Sequence, residues 1–434
     1  MKFLKIVFAA ILSVSLSACA NRVPLFKYIA SPDAETVRVA VDRHGSIYPD
    51  DLYLHTNDLQ LTDFSLKEYF RKTDCTNLSE ESIGREICQL HHDEENSVKS
   101  SDIDPKESLE KLRSIEKTVW QQKAVEITNA LESTNRDLAI LIHGFNDSTP
   151  ELTFLPMKKL IKSSYYYHRK ETPLFLEVVW DGTDSALGWP KAQFSGPLVG
   201  LELRLLLNEV ASTLKAKGSS LPNILVTTHS SGAYVIGSTL GNPSEAWNYK
   251  SDALSDRMIE KLTCSQNECC DAGPYKLPDY PSIGLAMYAP ATPSNTFVGI
   301  IEEGSKKAPL GLQANNLRVG FSINENDYAL NKVMPRGFFW SRRWLGATHT
   351  GADQSVFKRF ICKGFQFKER DLTNFRFNAF NFNDNASESF WLTKFLFWNN
   401  EHGMEYYAQN PKARRLIEFS LGSKLSNDLV LSCD

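Results

Sequence analysis

The chain has 434 residues, 42% hydrophobic and 23% charged, the make-up of a globular protein that buries a large core and not of a disordered or collagen-like chain. Its formal net charge of −4 provides no global positive field, which speaks against nucleic acid as a partner.

In chain order, the N-terminus comes first. It carries two lysines in MKFLK, the apolar stretch IVFAAILSVSLSA, and then LSAC at Leu16 to Cys19. The apolar run is shorter than the about 20 residues that a membrane-spanning helix needs. The arrangement resembles a bacterial lipoprotein signal, in which residues 1–18 are removed and Cys19 is lipidated; an ordinary secretory signal cleaved nearby is the alternative. Both export the protein. The resemblance implies the bacterial cell envelope and attachment to the membrane through an N-terminal lipid anchor. Ala20 in place of an Asp after the cysteine points to the outer membrane, facing the periplasm. Residues 19–34 then serve as a tether.

Residues 35–135 begin with a strand-like TVRVAV, continue through a polar segment bracketed by cysteines, and end in a predicted helix from Lys106 to Leu131. They are expected to form an N-terminal extension packed on the main domain. Export makes disulfides possible, and seven cysteines follow Cys19: Cys75, Cys88, Cys264, Cys269, Cys270, Cys362 and Cys433. An odd number leaves at least one free or paired between chains. A Cys75–Cys88 bridge would close a short local loop, and Cys264 with Cys269 or Cys270 another, although spacing alone does not decide connectivity. CSQNECC is crowded like a metal site, but no histidine lies near it and an oxidising compartment disfavours zinc thiolates. His91 and His92 sit in the acidic HHDEEN, a stretch without helical spacing that reads as a solvated loop. No metal or cofactor is expected.

From residue 136 the rhythm changes. The apolar runs LAILIHG, LFLEVVW, ILVTTHS, IGLAMYA, LRVGFSI and FICKGFQF alternate with helical stretches such as ELTFLPMKKLIKSSYYY, LVGLELRLLLNEVASTLKAKG and SGAYVIGSTL. This alternation predicts an α/β fold, a mostly parallel sheet with helices on both faces. The Cys-rich stretch at about 241–282 interrupts it as an insertion in a main domain of residues 136–434.

Several of these strand ends carry chemically useful residues. His143 and Gly144 directly follow the strand-like LAILI, where a glycine admits a substrate to the backbone and the next amides can point at an oxyanion. In LVTTHSSGAYV, Ser230 stands at a strand-to-helix turn with Gly232 two residues later. That is the second half of the nucleophile-elbow pattern G-x-S-x-G, with Thr228 in place of the first glycine. A turn containing two serines and no catalysis is the alternative reading. Asp327 follows LRVGFSI in NENDYALNK and suits either a triad acid or a helix N-cap, with Glu325 as its possible substitute. Two histidines compete as base. His349 precedes the last predicted strand and His402 follows it, and the chain order of such sites favours His402. His143 and His229 flank the two turns and are expected to bond backbone groups there.

Together IHGFN, HSSG, NENDYAL and EHGMEYY resemble, in the same order and over roughly Leu138 to Tyr407, a bacterial family of α/β-hydrolase-like proteins of undefined function. The resemblance implies the α/β-hydrolase fold with Ser230 as nucleophile, Asp327 as acid and His402 as base. It implies the backbone N–H groups of Ser231 and Phe145 as oxyanion donors, and His143, Gly144, His229 and Trp180 around the site. The second elbow serine, the Cys-rich insertion and the longer N-terminal extension depart from the family pattern. The expected activity is that of an exported, membrane-anchored serine hydrolase, esterase- or lipase-like. Its substrate would be a small-molecule or lipid carboxylic ester, cleaved through an acyl-enzyme. The alternative is a non-catalytic lipoprotein using the fold as a binding or scaffold module. FRFNAFNFN at 375–383 and the following FWLTKFLFW read either as a core-packed strand and helix or as an aromatic wall over an acyl pocket. GFFWSRRW at 337–344 reads as a lipid-headgroup interface or a solvated loop.

Overall fold

Short runs rich in Val, Ile, Leu and Phe form the strands β1 (Thr36–Val41), β2 (Leu138–Ile142), β3 (Leu174–Trp180), β4 (Ile224–His229), β5 (Ile283–Tyr288), β6 (Leu317–Ile323) and β7 (Arg376–Asn381). The helices are α1 (Ile83–Lys99), α2 (Pro105–Glu132), α3 (Pro150–His168), α4 (Trp189–Ala216), α5 (Gly232–Leu240), α6 (Met404–Gln409) and α7 (Pro411–Ser420). These come from a computed structural model that describes residues 31–43, 45–50, 70, 73–99, 105–133, 136–145, 149–169, 171–182, 189–240, 278–292, 317–324, 327, 376–383 and 402–423. Cys19 and the leader, Glu325, His349, the cysteines beyond Cys88, FICKGFQF, FWLTKFLFW and GFFWSRRW lie outside the described residues.

Every strand pairing is parallel, in the order β1-β3-β2-β4-β5-β6-β7. Strands β1 to β5 are buried at every position. Continuous burial is what a parallel sheet covered on both faces requires. Helices α2, α4 and α5 cover one face, and α1, α3, α6 and α7 the other. Helices α3 and α7 both open on a proline, whose missing N–H would be unsatisfied in a first turn anyway. The Asn410 side chain caps α7 by accepting from the Lys412 N–H at 2.9 Å. On that face α7 lies close over β5 and β6 because Gly284 and Gly320 present no side chain. A Cβ on Gly284 would run into the Ser420 carbonyl, and one on Gly320 into the Leu416 side chain. Among the described residues no helix is long and apolar enough to cross a membrane.

Segment 35–135 supplies the edge strand itself, with Arg38 of β1 in register with Glu177 of β3. Arg38 Nη2 stands 2.6 Å from Glu177 Oε2, and Lys158 Nζ of α3 stands 2.7 Å from Oε1. A carboxylate buried this deeply is tolerable only with both oxygens paired, and the two cations tie the edge strand to its neighbour and to α3.

One expectation changes and one alternative is decided. HHDEEN is not a loop: His91 and His92 belong to α1, where His91 is buried and stacked on Phe70, and His92 Nε2 reaches the Phe70 and Thr73 carbonyls at 2.7 and 3.0 Å. Helical spacing was hidden there because polar residues surround the pair, with Glu86 and Asp93 exposed on the same helix. For FRFNAFNFN the core-packed strand is the one of the two readings that the described residues support: β7 is followed by Phe382, Phe380 and Phe382 are fully buried, and Phe380 lies against Phe419. Strand β7 still precedes His402, which preserves the ordering used to choose the base.

The Cys75–Cys88 disulfide forms, joining a short 3-10 turn (Cys75–Asn77) to α1. Sγ atoms of this pair and His92 cluster like metal ligands, but the sulfurs are bonded to each other and offer no thiolate. The bridge closes a loop with a sequence separation of 13. Its removal in a Cys75→Ala, Cys88→Ala double variant is expected to lower the unfolding free energy by about 3 kcal/mol in urea titrations.

Candidate active site

From β2 the sheet grows in two directions, to β3 on one side and to β4 on the other. The connections leaving the carboxyl ends of β2 and β4 therefore diverge, and a crevice opens there, the usual binding position in an open parallel sheet. The turn after β2 contributes His143, Gly144 and Phe145. The turn after β4 contributes Ser230 and Ser231 before α5 begins.

Ser230 has φ 53°, in the left-handed region that costs a non-glycine residue roughly 1–3 kcal/mol. Three backbone bonds hold it there. Its N–H donates to the Tyr288 carbonyl at 2.9 Å, and its own carbonyl accepts from Ala291 at 3.1 Å and from Ala233 at 3.2 Å. The tight approaches fall on glycines. A Cβ on Gly232 would stand 2.6 Å from the Ile142 carbonyl oxygen and 2.8 Å from that of His143, and one on Gly144 would stand 2.7 Å from Ser230 Cβ. Thr228 occupies a regular strand position between Ile142 and Met287, which explains why the elbow tolerates it where a glycine was expected. At the far end of α5, buried Arg204 of α4 donates to the carbonyls of Thr239 at 2.7 Å and Ser238 at 2.8 Å. It thereby satisfies the helix C-terminus and places a cation at its negative end.

Three predicted residues converge on this turn from remote parts of the chain. His402 Nε2 accepts from Ser230 Oγ–H at 3.0 Å, and His402 Nδ1–H donates to Asp327 Oδ2 at 2.7 Å. Asp327 follows β6, is fully buried, and donates its backbone N–H to the Asn324 carbonyl at 3.2 Å. His402 sits at the start of the segment leading into α6, with a quarter of its side chain exposed. The imidazole thus bridges a buried hydroxyl and a buried carboxylate while keeping one edge toward solvent. That arrangement suits transfer of the serine proton to the ring and stabilisation of the imidazolium that results.

The remaining predicted residues divide between the site and its support. Ser231 directly precedes α5, where the first amides of a helix have no intrahelical acceptor. Phe145 follows Gly144 on the facing loop and rests partly buried against the sheet core. His143 and Trp180 lie one layer behind, both fully buried. His143 Nδ1–H donates to the Gly144 carbonyl at 2.8 Å and Nε2 accepts from the Trp180 backbone N–H at 3.0 Å, while the Trp180 indole donates to the His143 carbonyl at 3.0 Å. They brace the loop from beneath. His229 ties two site segments together, its Nε2–H donating to the His402 carbonyl.

Sequence reasoning missed Tyr407. Its hydroxyl donates to Asp327 Oδ2 at 2.8 Å, the same oxygen that takes the His402 proton donor. Burial first, and then the charge of Asp327, push this phenol well above its ordinary pKa, so it stays a donor. The only signal in the sequence is that Met404 and Tyr407 are spaced to face inward together on a short helix, and both are buried. The chain matches no protein-family model, no curated protein and no solved structure.

Because the neighbours of Gly232 are backbone carbonyls that cannot rotate away, Gly232→Ala is expected to cost about 1–3 kcal/mol as an overpacked site. Urea unfolding checks it, and a neutral result would mean that β2 and α5 have room to separate.

Proposed function

We propose that the chain is a serine hydrolase of the α/β-hydrolase fold that cleaves carboxylic esters, exported and held at the bacterial outer membrane by lipid on Cys19. The observation that carries the reading is the His402 bridge, 3.0 Å to Ser230 Oγ and 2.7 Å to Asp327 Oδ2, assembled from residues 172 and 75 positions apart. The order Ser, Asp, His along the chain, each after a strand of a parallel sheet, supports the fold assignment. The IHGFN, HSSG, NENDYAL and EHGMEYY segments supply the residues concerned and support membership of the α/β-hydrolase-like family they resemble.

In this mechanism His402 Nε2 takes the Ser230 proton as Oγ attacks the acyl carbon. The oxyanion that forms is held by the Ser231 and Phe145 amides, each such donor being worth about 3 kcal/mol in the transition state. Collapse breaks the ester bond, and the departing alkoxide leaves as alcohol with the proton from His402. Water, deprotonated by His402, then attacks the acyl-enzyme and releases the acid and Ser230. Asp327 holds the tautomer with the proton on Nδ1 and offsets the charge of the imidazolium. The lipid anchor and the membrane favour lipid esters among the substrates, with small-molecule esters as the simpler class.

A fluorophosphonate probe tests the nucleophile. Wild type is expected to label, Ser230→Ala to give no signal, and Asp327→Asn to label about 10⁴-fold more slowly through loss of the correct tautomer. Equal labelling of wild type and Ser230→Ala, or none of either, would leave the non-catalytic scaffold as the better reading. Hydrolysis of amides but not esters by the labelled enzyme would reassign the reaction class.

A further inference from the structure

Two proton donors, the His402 imidazole and the Tyr407 phenol, share one carboxylate oxygen, and the second has no part in the mechanism above. The Tyr407 hydroxyl reaches Asp327 Oδ2 at 2.8 Å, beside the 2.7 Å bond from His402 Nδ1–H. Both donors come from one short segment, residues 402–407, so the base and this second grip on the acid are delivered together by the start of α6. The Tyr407 ring is clamped on its other sides by Phe382 of β7 at 5.5 Å, Tyr288 of β5 at 6.3 Å and His229 of β4 at 6.4 Å. Tyr288 is itself held by donating to the Ala413 carbonyl at 2.7 Å. This phenol, fixed firmly and fully buried, donates its O–H to Asp327, and the Asn324 side chain also bonds at the hydroxyl.

We infer that Tyr407 is a positioning residue that tunes the base: by sharing Asp327 Oδ2 it draws negative charge away from the His402 contact and sets the acidity at which the site switches off. This rests on the serine-hydrolase reading. A hydrogen bond donated to a carboxylate spreads its charge, and a less basic carboxylate stabilises the neighbouring imidazolium less. With the bond in place the carboxylate stabilises the imidazolium less than an unshared one would, which favours the neutral ring that takes the Ser230 proton. Without it, Oδ2 becomes more basic, the imidazolium is favoured, and the base is lost at higher pH. Among the described residues, the titratable groups that face this network are Asp327 after β6, His229 of β4, Tyr288 of β5, and Tyr406 of α6, whose ring lies 5.8 Å from that of Tyr407. His229 is the imidazole among these. It is held by its bond to the His402 carbonyl in either variant.

The experiment is the fluorophosphonate labelling rate of the full chain as a function of pH. Tyr407→Phe keeps the ring and removes the hydroxyl, and with it both the bond to Asp327 and the contact with Asn324. Its acid limb is expected to move to higher pH by about half to one unit, read as labelling about three- to ten-fold slower than wild type on the acid side. Phe382→Leu, which disturbs the packing of the same ring without touching the donor, should leave the limb in place. If Tyr407→Phe does not fold, site-specific Tyr407→3-fluorotyrosine, a stronger donor, should move the limb to lower pH. A limb that stays put or moves the opposite way in these variants, or one that moves equally in Phe382→Leu, would overturn the inference. Such a result in a protein that labels at Ser230 leaves the hydrolase reading standing, whereas no labelling of wild type removes that reading itself.

Discussion

The carbonyl oxygens of Ile142 and His143 stand where a side chain on residue 232 would be. This contact between the carboxyl end of β2 and the first turn of α5 sets the distances of the whole site. It brings the loop after β2 against the turn after β4, so that Gly144 abuts Ser230. Closeness at that point pushes Ser230 into its left-handed conformation, and the bonds from Tyr288 and Ala291 show that β5 and the loop beyond it hold the strained turn from the other side. Strain at one residue persists when several surrounding segments over-determine it. Here four do so: the ends of β2, β4 and β5, and α5 with its far end secured by Arg204.

The structure handles two fully or nearly fully buried carboxylates in different ways, and the difference matches their places. Glu177 is neutralised by two full cations, Arg38 and Lys158. That pairing fastens an edge strand and leaves little field to act on anything else. Among the described residues, Asp327 Oδ2 instead receives an imidazole N–H and a phenol O–H. Neutral donors satisfy lone pairs while leaving the negative charge largely in place, which is the condition for stabilising a cation that appears only during reaction. Around this pair the aromatic residues Tyr288, Phe382 and Tyr407 pack edge to face and at a tilt, which keeps the carboxylate dry without supplying a second charge.

Much of this was legible in the chain because parallel strands buried on both faces have to be continuous apolar runs. LAILI, LFLEVVW, ILVTTH, IGLAMY and LRVGFSI therefore announce themselves. Ser230 and Asp327 were identifiable because they stand at or just beyond the end of such a run, where a parallel sheet exposes its residues at one edge, and His402 because it follows β7 in the chain order of such sites. The histidines of α1 were misread because local acidity masks an inward face, and Tyr407 was passed over because a tyrosine on a short amphipathic helix has the same pattern whether its hydroxyl is bonded or only packed.

What the sequence determined by itself is the alternation of strand and helix, and with it the sheet, its parallel sense and the residues stationed at its carboxyl edge. These follow from periodicity and burial, which are local properties of the chain. The strand order, the meeting of β2 with α5, the second donor on Asp327 and the His229 bond to the His402 carbonyl were decided only in the folded molecule. Each depends on which surfaces meet after long stretches of intervening chain, and the hydrogen-bond angles that select a partner exist only once those surfaces are packed.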